Sequence, residues 1–139
     1  MAARELFLDA SYLIALAVPA DEHHAKANQL LDSTVAASRL LVTTQAVLFE
    51  VGDALSRPRH RAAAVKLLKA LESDPKVEIV HIEAGLHARA LELFERRADK
   101  DWSLTDCLSF VVMQEHELTE ALTTDEHFEQ AGFTALLRR

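Results

Sequence analysis

The sequence predicts an α/β fold in which helices cover both faces of a central parallel sheet of four to five strands. Short apolar stretches suited to strands alternate with longer segments whose apolar residues recur at helical spacing. Such alternation is typical of parallel sheets, because each parallel connection needs a crossover that a helix usually supplies. Half of the 139 residues are apolar, and there are only three glycines and three prolines. We therefore expect one domain, residues 1–139, around one core.

Five segments have the composition of strands. Residues 6–8 form an apolar run that ends at Asp-Ala-Ser, and residues 40–42 form a second apolar run. Residues 77–82 are rich in β-branched side chains, residues 121–122 lead into Thr-Thr-Asp, and residues 133–137 suit a last strand. The segments between these runs predict helices at 11–17, 22–32, 45–56, 60–72, 84–98 and 104–116.

Four acidic residues lie where predicted strands end or beside apolar helical segments. Asp9 follows the first strand in ELFLDAS, and Asp125 follows the fourth in ALTTDEHF. Asp106 opens an apolar helix in WSLTDCLSF, and Glu50 lies in the helical segment AVLFEVGDAL. Ligands of open parallel sheets bind at the carboxyl ends of the strands, where Asp9 and Asp125 should lie. Because clustered carboxylates repel unless a cation compensates them, the four acids together predict a divalent metal site.

Helical geometry distinguishes Glu50 from its neighbour Asp53. At about 100° per residue, Glu50 falls beside the edge of an apolar stripe, whereas Asp53 points nearly the opposite way. The stripe consists of Val47, Leu48, Val51, Ala54 and Leu55. We expect Glu50 to face the rim of the site and Asp53 to be solvated. The alternative is that Glu50 only packs its stem at the boundary while its carboxylate reaches water.

Each of the other three acids also has a structural explanation. Ser103 and Asp106 fit a capping box, in which the acid accepts a hydrogen bond from the backbone amide of the capping residue. Asp9 and Asp125 can cap the helices that follow their strands. Ser11 can support the site or act as a cap. Four acids at four such positions are nevertheless hard to explain as unrelated caps, so we favour a joint site.

The four segments, in their order and spacing, resemble the PIN-domain ribonucleases, and the short chain is most similar to the VapC-type toxins of type II toxin-antitoxin systems. Asp9 with Ser11 matches the opening Asp-x-Ser of that family, and Glu50 matches its helical glutamate. Asp106 and Asp125 match its two later aspartates. The similarity spans residues 6–133 and implies a PIN-like three-layer fold.

The resemblance implies a metal-dependent RNA endonuclease that hydrolyses phosphodiester bonds with Mg²⁺, or Mn²⁺, held by the four acids. It also implies products with a 5′ phosphate and a 3′ hydroxyl, a homodimer, and a cognate antitoxin protein that fills the acidic cleft. The alternative is a catalytically silent PIN-like module that only binds a partner. An aspartyl-phosphate enzyme on a similar sheet is less consistent, because its second aspartate would stand where Ser11 does.

The net charge of −7 argues against broad nucleic-acid binding, since phosphate affinity comes largely from Lys and Arg. The basic residues are nevertheless clustered, and a joint phosphate track is the alternative to simple solvated helix ends. One cluster is Arg57, Arg59, His60, Arg61, Lys66 and Lys69, and the other is Arg96, Arg97 and Lys100.

The remaining residues give weaker signals. Single Cys107 in an apolar run indicates a core thiol in a reducing compartment, and no apolar run is long enough to span a membrane, so we expect a cytoplasmic protein. The seven histidines do not form a zinc motif. We expect His127 to pack at the surface, although it can approach phosphate, and Trp102 to be a partly covered loop residue rather than a base-stacking platform.

Overall fold

The computed structural model describes residues 5–139, and within them five parallel strands form one sheet in the order β3-β2-β1-β4-β5. The strands are β1 (Leu6–Leu8), β2 (Leu41–Thr44), β3 (Val77–Val80), β4 (Glu120–Leu122) and β5 (Thr134–Ala135). The predicted α/β class and the parallel sheet are confirmed.

Helices flank the sheet and supply its crossover connections. They are α1 (Ala10–Ala17), α2 (His24–Ala36), α3 (Gln45–Ala54), α4 (Pro58–Ser73), α5 (Ala84–Arg96), α6 (Leu104–Glu115) and α7 (Glu126–Gln130), followed by a 3₁₀ turn at Leu136–Arg138. Within residues 5–139 no helix combines the length and apolar character needed to cross a bilayer.

The sequence prediction misses α7 and overextends the last strand. Helix α7 has only five residues, which is too short for helical periodicity to show. Strand β5 has only two residues, and both pair with the three-residue strand β4. The chain then turns into the 3₁₀ helix, where Leu137 is buried.

Strand β2 ends later than predicted because two threonines are buried in it. Thr43 donates its hydroxyl to the carbonyl of Leu8 at 2.9 Å, which satisfies the polar group inside the sheet. Thr44 caps α3 by accepting a hydrogen bond from the amide of Val47 at 3.2 Å. These partners explain how two hydroxyl side chains are accommodated in a buried interior strand.

Helix α6 runs through the interior, as its apolar sequence predicts, and every residue from 107 to 113 is buried. Phe110 on this helix packs edge-on against Trp102 and against Phe128 of α7. Trp102 is buried, with its indole nitrogen donating to Gln130 Oε1 at 2.9 Å. The expectation of a partly covered tryptophan is therefore wrong. The free thiol of Cys107 is buried, as expected.

The strand order places a topological switch point between β1 and β4. From β1 the chain proceeds to β2 and β3 on one side, and later to β4 and β5 on the other. The order therefore reverses between β1 and β4, and ligands of such sheets bind outside the carboxyl ends of the strands at this point. Asp9 immediately follows β1, and Thr123, Thr124 and Asp125 follow β4.

Candidate active site

Asp9 is buried at the carboxyl end of the central strand, and two hydroxyl groups hold its carboxylate. It occupies the position before α1, yet its side chain makes no capping hydrogen bond. Its Oδ2 atom instead accepts hydrogen bonds from Ser11 Oγ at 2.9 Å and Thr123 Oγ1 at 2.7 Å. Capping therefore does not explain Asp9, and Ser11 supports this carboxylate.

Backbone amides after β4 orient those two hydroxyls. The amide of Thr124 donates to Ser11 Oγ and that of Asp125 donates to Thr123 Oγ1, each at 3.0 Å. Because each hydroxyl oxygen accepts from an amide, its single hydrogen stays free to be donated to Asp9. The network joins the ends of β1 and β4.

Asp106 combines the capping role predicted for it with a second contact. Its Oδ2 accepts a hydrogen bond from the amide of Ser103 at 3.0 Å, and its own amide donates to Ser103 Oγ, which completes the capping box. The same Oδ2 lies 2.9 Å from Nδ1 of His127. The side chain is 14% exposed, so the carboxylate lies close to the interior.

Asp125 caps α7 and also lies beside Asp106. Its Oδ1 accepts a hydrogen bond from the amide of His127 at 2.8 Å and lies 3.4 Å from Nδ1 of that histidine. Ligand atoms of Asp106, Asp125 and His127 all lie within 4.8 Å of one another. The cap and the proximity to Asp106 are therefore both present.

Glu50 extends from α3 and is the most exposed of the four acids. Partial burial is the main cause that raises its pKa to about 7, and the charges of Asp9, Asp106 and Asp125 raise it further. Exposed Asp53 contributes least to this shift. The other three carboxylates therefore lie close enough to affect the ionisation of Glu50, and the charge of Asp106 also raises the pKa of Asp9.

The site concentrates acidic groups without a lysine or arginine partner among the described residues. Burial raises the pKa of Asp9, an effect that the hydrogen bonds from Thr123 and Ser11 only partly oppose. Within residues 5–139, no Lys or Arg forms an ion pair with any of the four acids. Carboxylate oxygens are the ligands that hard divalent cations prefer, so this donor set fits Mg²⁺ or Mn²⁺.

His127 is the site residue that sequence reasoning places incorrectly. The sequence favours surface packing, but the imidazole contacts both Asp106 and Asp125. Burial lowers its pKa, but the hydrogen bond to Asp106 and the neighbouring acidic charges outweigh that effect and raise it overall. The available signal is its position in the first turn of a helix that Asp125 caps.

Comparison with known proteins agrees with this geometry. The family model described as PIN domain matches residues 6–134. This chain belongs to the PIN-domain family. The recognised segment contains all four acids and both hydroxyl residues that hold Asp9, so the resemblance predicted from the sequence is confirmed.

Two curated relatives of this PIN domain share one description, 23S rRNA-specific endonuclease VapC20, in the CDC 1551 / Oshkosh and ATCC 25618 / H37Rv strains of Mycobacterium tuberculosis. Each is 32% identical over 129 residues, covering 92% of this chain and 95% of the relative. The crystal structure of Mycobacterium tuberculosis VapC20, described as a Sarcin-Ricin loop cleaving toxin, superposes with a TM-score of 0.82. That comparison has 30% identity and covers 93% of this chain and 96% of the other.

The two basic clusters differ in how far acidic neighbours neutralise them. Arg96 pairs with Glu92, and Arg97 and Lys100 both pair with Asp99. The arginines and lysines of the other cluster are exposed and form no ion pair within residues 5–139; they are Arg57, Arg59, Arg61, Lys66 and Lys69. Helix α4 and the residue before it are therefore the stronger candidate for contact with phosphate.

Proposed function

We propose that this PIN domain is a metal-dependent endoribonuclease that hydrolyses phosphodiester bonds in RNA. The observation that carries the proposal is the group of four acids at the switch point of the sheet, where the charges of the other three raise the pKa of Glu50 and no lysine or arginine among residues 5–139 pairs with any of them. The similarity to an endonuclease over nearly the whole chain supports the same conclusion.

In this proposal Asp9, Glu50, Asp106 and Asp125 hold Mg²⁺, or Mn²⁺, and Ser11 supports Asp9. The bound cation would activate the attacking water and stabilise the charge that develops on the phosphate oxygens. Asp9 and Asp106 each have one oxygen held by two donors, which fixes the carboxylates before substrate arrives. Glu50, on the exposed rim, completes the charge of the site.

Ribosomal RNA is the proposed substrate class, because the relatives are described as specific for 23S rRNA and the solved relative as cleaving the Sarcin-Ricin loop. Exposed cations on α4 would contact phosphates of the RNA backbone. We propose a cytoplasmic toxin whose activity a cognate antitoxin protein blocks, and a homodimeric assembly. These proposals follow from the similarity to VapC-type toxins.

The experiment measures cleavage of a synthetic Sarcin-Ricin loop RNA by purified protein in chelator, in Mg²⁺ and in Mn²⁺. We expect cleavage only with metal, giving a 5′ phosphate and a 3′ hydroxyl. Asp9→Asn and Asp106→Asn should lower the rate at least about 100-fold, as expected when several kcal/mol of transition-state stabilisation are removed. Asp101→Asn, at an exposed acid near Trp102, is the matched control and should retain activity.

Equal cleavage in chelator and in Mg²⁺ would contradict the metal-dependent mechanism. Absence of cleavage of this RNA and of total cellular RNA under every metal condition would favour the alternative, a catalytically silent module that binds a partner. Cleavage of total RNA but not of the Sarcin-Ricin loop would retain the enzyme class and reject only the proposed substrate.

A further inference from the structure

We propose that His127 is a positioning residue whose imidazole fixes the Asp106 carboxylate in the orientation needed to hold the metal. This inference rests on the proposed function and extends it to a residue outside the four acids. His127 would act through Asp106, without contacting the metal or the RNA.

The hydrogen bonds of Asp106 are concentrated on one oxygen. Oδ2 accepts from the amide of Ser103 at 3.0 Å and contacts Nδ1 of His127 at 2.9 Å. Within residues 5–139 no hydrogen bond reaches Oδ1, which is left available for a cation. Since an ionised carboxylate only accepts hydrogen bonds, Nδ1 of His127 must carry the hydrogen in this contact.

His127 is itself held by its surroundings. Its amide donates to Asp125 Oδ1 at 2.8 Å, so the cap of α7 fixes the backbone from which the imidazole extends. The next residue, Phe128, is fully buried and packs against Phe110 on α6, the helix that carries Asp106. The donor and the acceptor therefore lie on two helices that pack together.

Asp9 has the same arrangement. Its Oδ2 also accepts hydrogen bonds from two side-chain donors, Ser11 and Thr123. Ligands to metals are commonly oriented by such hydrogen-bonded neighbours, and removal of one typically costs 10–100-fold in metal affinity or activity, as an order of magnitude. His127 and Ser103 would thus do for Asp106 what Ser11 and Thr123 do for Asp9.

The alternative is that His127 is itself a metal ligand, since its ring lies close enough to Asp106 and Asp125 for all three residues to bind one cation. The contact with Asp106 argues against metal binding through Nδ1, which would have to give up its hydrogen bond and its hydrogen, so a ligand role would have to use Nε2. The two roles predict different results when an amide replaces the imidazole.

The test uses Mn²⁺ binding to the full chain, measured by electron paramagnetic resonance, together with RNA cleavage. His127→Leu removes the donor, and His127→Asn retains an amide N–H near the position of Nδ1. We expect His127→Leu to weaken Mn²⁺ binding by about 10-fold or more and to raise the Mg²⁺ concentration for half-maximal rate similarly. His127→Asn should restore the Mn²⁺ affinity and the Mg²⁺ requirement. In both variants KM for RNA at saturating metal should equal that of the wild type.

The control is His116→Leu, at another partly buried histidine that contacts a carboxylate, Glu78 at 3.2 Å, outside the site. It should bind Mn²⁺ like the wild type. Unchanged Mn²⁺ binding in His127→Leu would overturn the inference. Equal loss in His127→Leu and His127→Asn would overturn it in favour of a metal ligand, and a change confined to KM for RNA would overturn it in favour of a phosphate contact.

A second measurement uses the wild-type protein, so its result does not depend on whether a variant folds. Nitrogen NMR of the wild type in chelator should show that Nδ1 of His127 carries a hydrogen, and an unprotonated Nδ1 would overturn the inference. If the wild type binds no Mn²⁺, the proposed function fails together with this inference. If the wild type binds Mn²⁺ and His127→Leu binds it equally, only the role of His127 fails.

Discussion

Thr123 donates its hydroxyl to Asp9 at 2.7 Å, a contact between residues 114 positions apart in the sequence. The two residues follow neighbouring strands, so the parallel pairing of β1 with β4 is what brings them together. Thr123 is fully buried, and its oxygen also accepts the amide of Asp125. One side chain thus orients the first acid of the site and the backbone of the last.

Thr123→Val should impair both metal binding and stability, because valine has nearly the same shape but no hydroxyl. Asp9 would lose one of its two donors, and the Asp125 amide would lose its acceptor. We expect the free energy of unfolding to fall by about 1–3 kcal/mol and Mn²⁺ to bind more weakly. Thr123→Ser keeps the hydroxyl and should retain metal affinity. Chemical denaturation and Mn²⁺ titration of both variants provide the check, and equal affinity in the two would show that the hydroxyl does not matter.

Glu50→Gln should strongly reduce RNA cleavage, whereas Asp53→Asn should leave it nearly intact. Both acids are exposed on α3, but the charges of Asp9, Asp106 and Asp125 raise the pKa of Glu50, which places it near the site. The two substitutions are matched, because both remove one negative charge from an exposed acid on the same helix. Cleavage rates at saturating Mg²⁺ decide the matter, and comparable reductions from both substitutions would mean that Glu50 is not a site residue.

The fold is accessible from the sequence because its longer elements have clear patterns. The apolar sequence of α6 predicts a buried helix, and alternation of strand and helix predicts the parallel sheet. Short elements contain too few residues for a pattern, which is why the sequence does not predict α7. A polar residue whose hydrogen-bond partner is distant in the sequence is also hard to place, as Thr43 shows.

The candidate site is accessible only in part, for a related reason. Acids beside apolar runs stand out in a sequence, because burial of a carboxylate is costly. His127 does not stand out, because its role depends on the packing of α7 against α6, which places its ring 2.9 Å from Asp106. Asp106 and His127 are 21 residues apart and lie on different helices, so no helical or strand periodicity in the sequence relates them.

Without metal, the protein should be more stable at about pH 6 than at about pH 8. Burial raises the pKa of Asp9, and that of Glu50 rises from its usual 4.5 to about 7. The pKa of His127 is also raised, by Asp106 and its acidic neighbours against the opposing effect of burial. Because the folded state holds all three protons more tightly than the unfolded chain, its stability falls as the pH rises through these values.

Thermal unfolding in chelator and in Mg²⁺ at both pH values tests this expectation. Mg²⁺ should raise the melting temperature more at the higher pH, where the cation replaces the dissociated protons as the compensating charge. Glu50→Gln should show a smaller fall with pH in chelator, whereas Glu72→Gln, an exposed control on α4, should behave like the wild type. The pKa of His116 is also raised, but its contribution to the pH dependence of stability is the same in the wild type and in both variants. A stability that increases with pH in chelator would contradict the proposed electrostatics.

Arg59→Gln with Lys66→Gln should weaken RNA binding and reduce its dependence on salt. The two residues are exposed, lie seven positions apart and so share one face of α4, and form no ion pair within residues 5–139. Removing two cations that each bind a phosphate should lower the magnitude of the slope of log affinity against log salt by about 2, or somewhat less for single-stranded RNA. The matched control, Arg96→Gln with Lys100→Gln, removes the same charge from residues already paired with Glu92 and Asp99, and should change the slope little.

Fluorescence anisotropy between about 50 and 200 mM salt, on an Asp9→Asn background that keeps the RNA intact, measures the slope for both variants. If the control lowers the slope as much as the α4 variant does, the RNA does not follow α4, because neutralised and unpaired cations would then be equivalent.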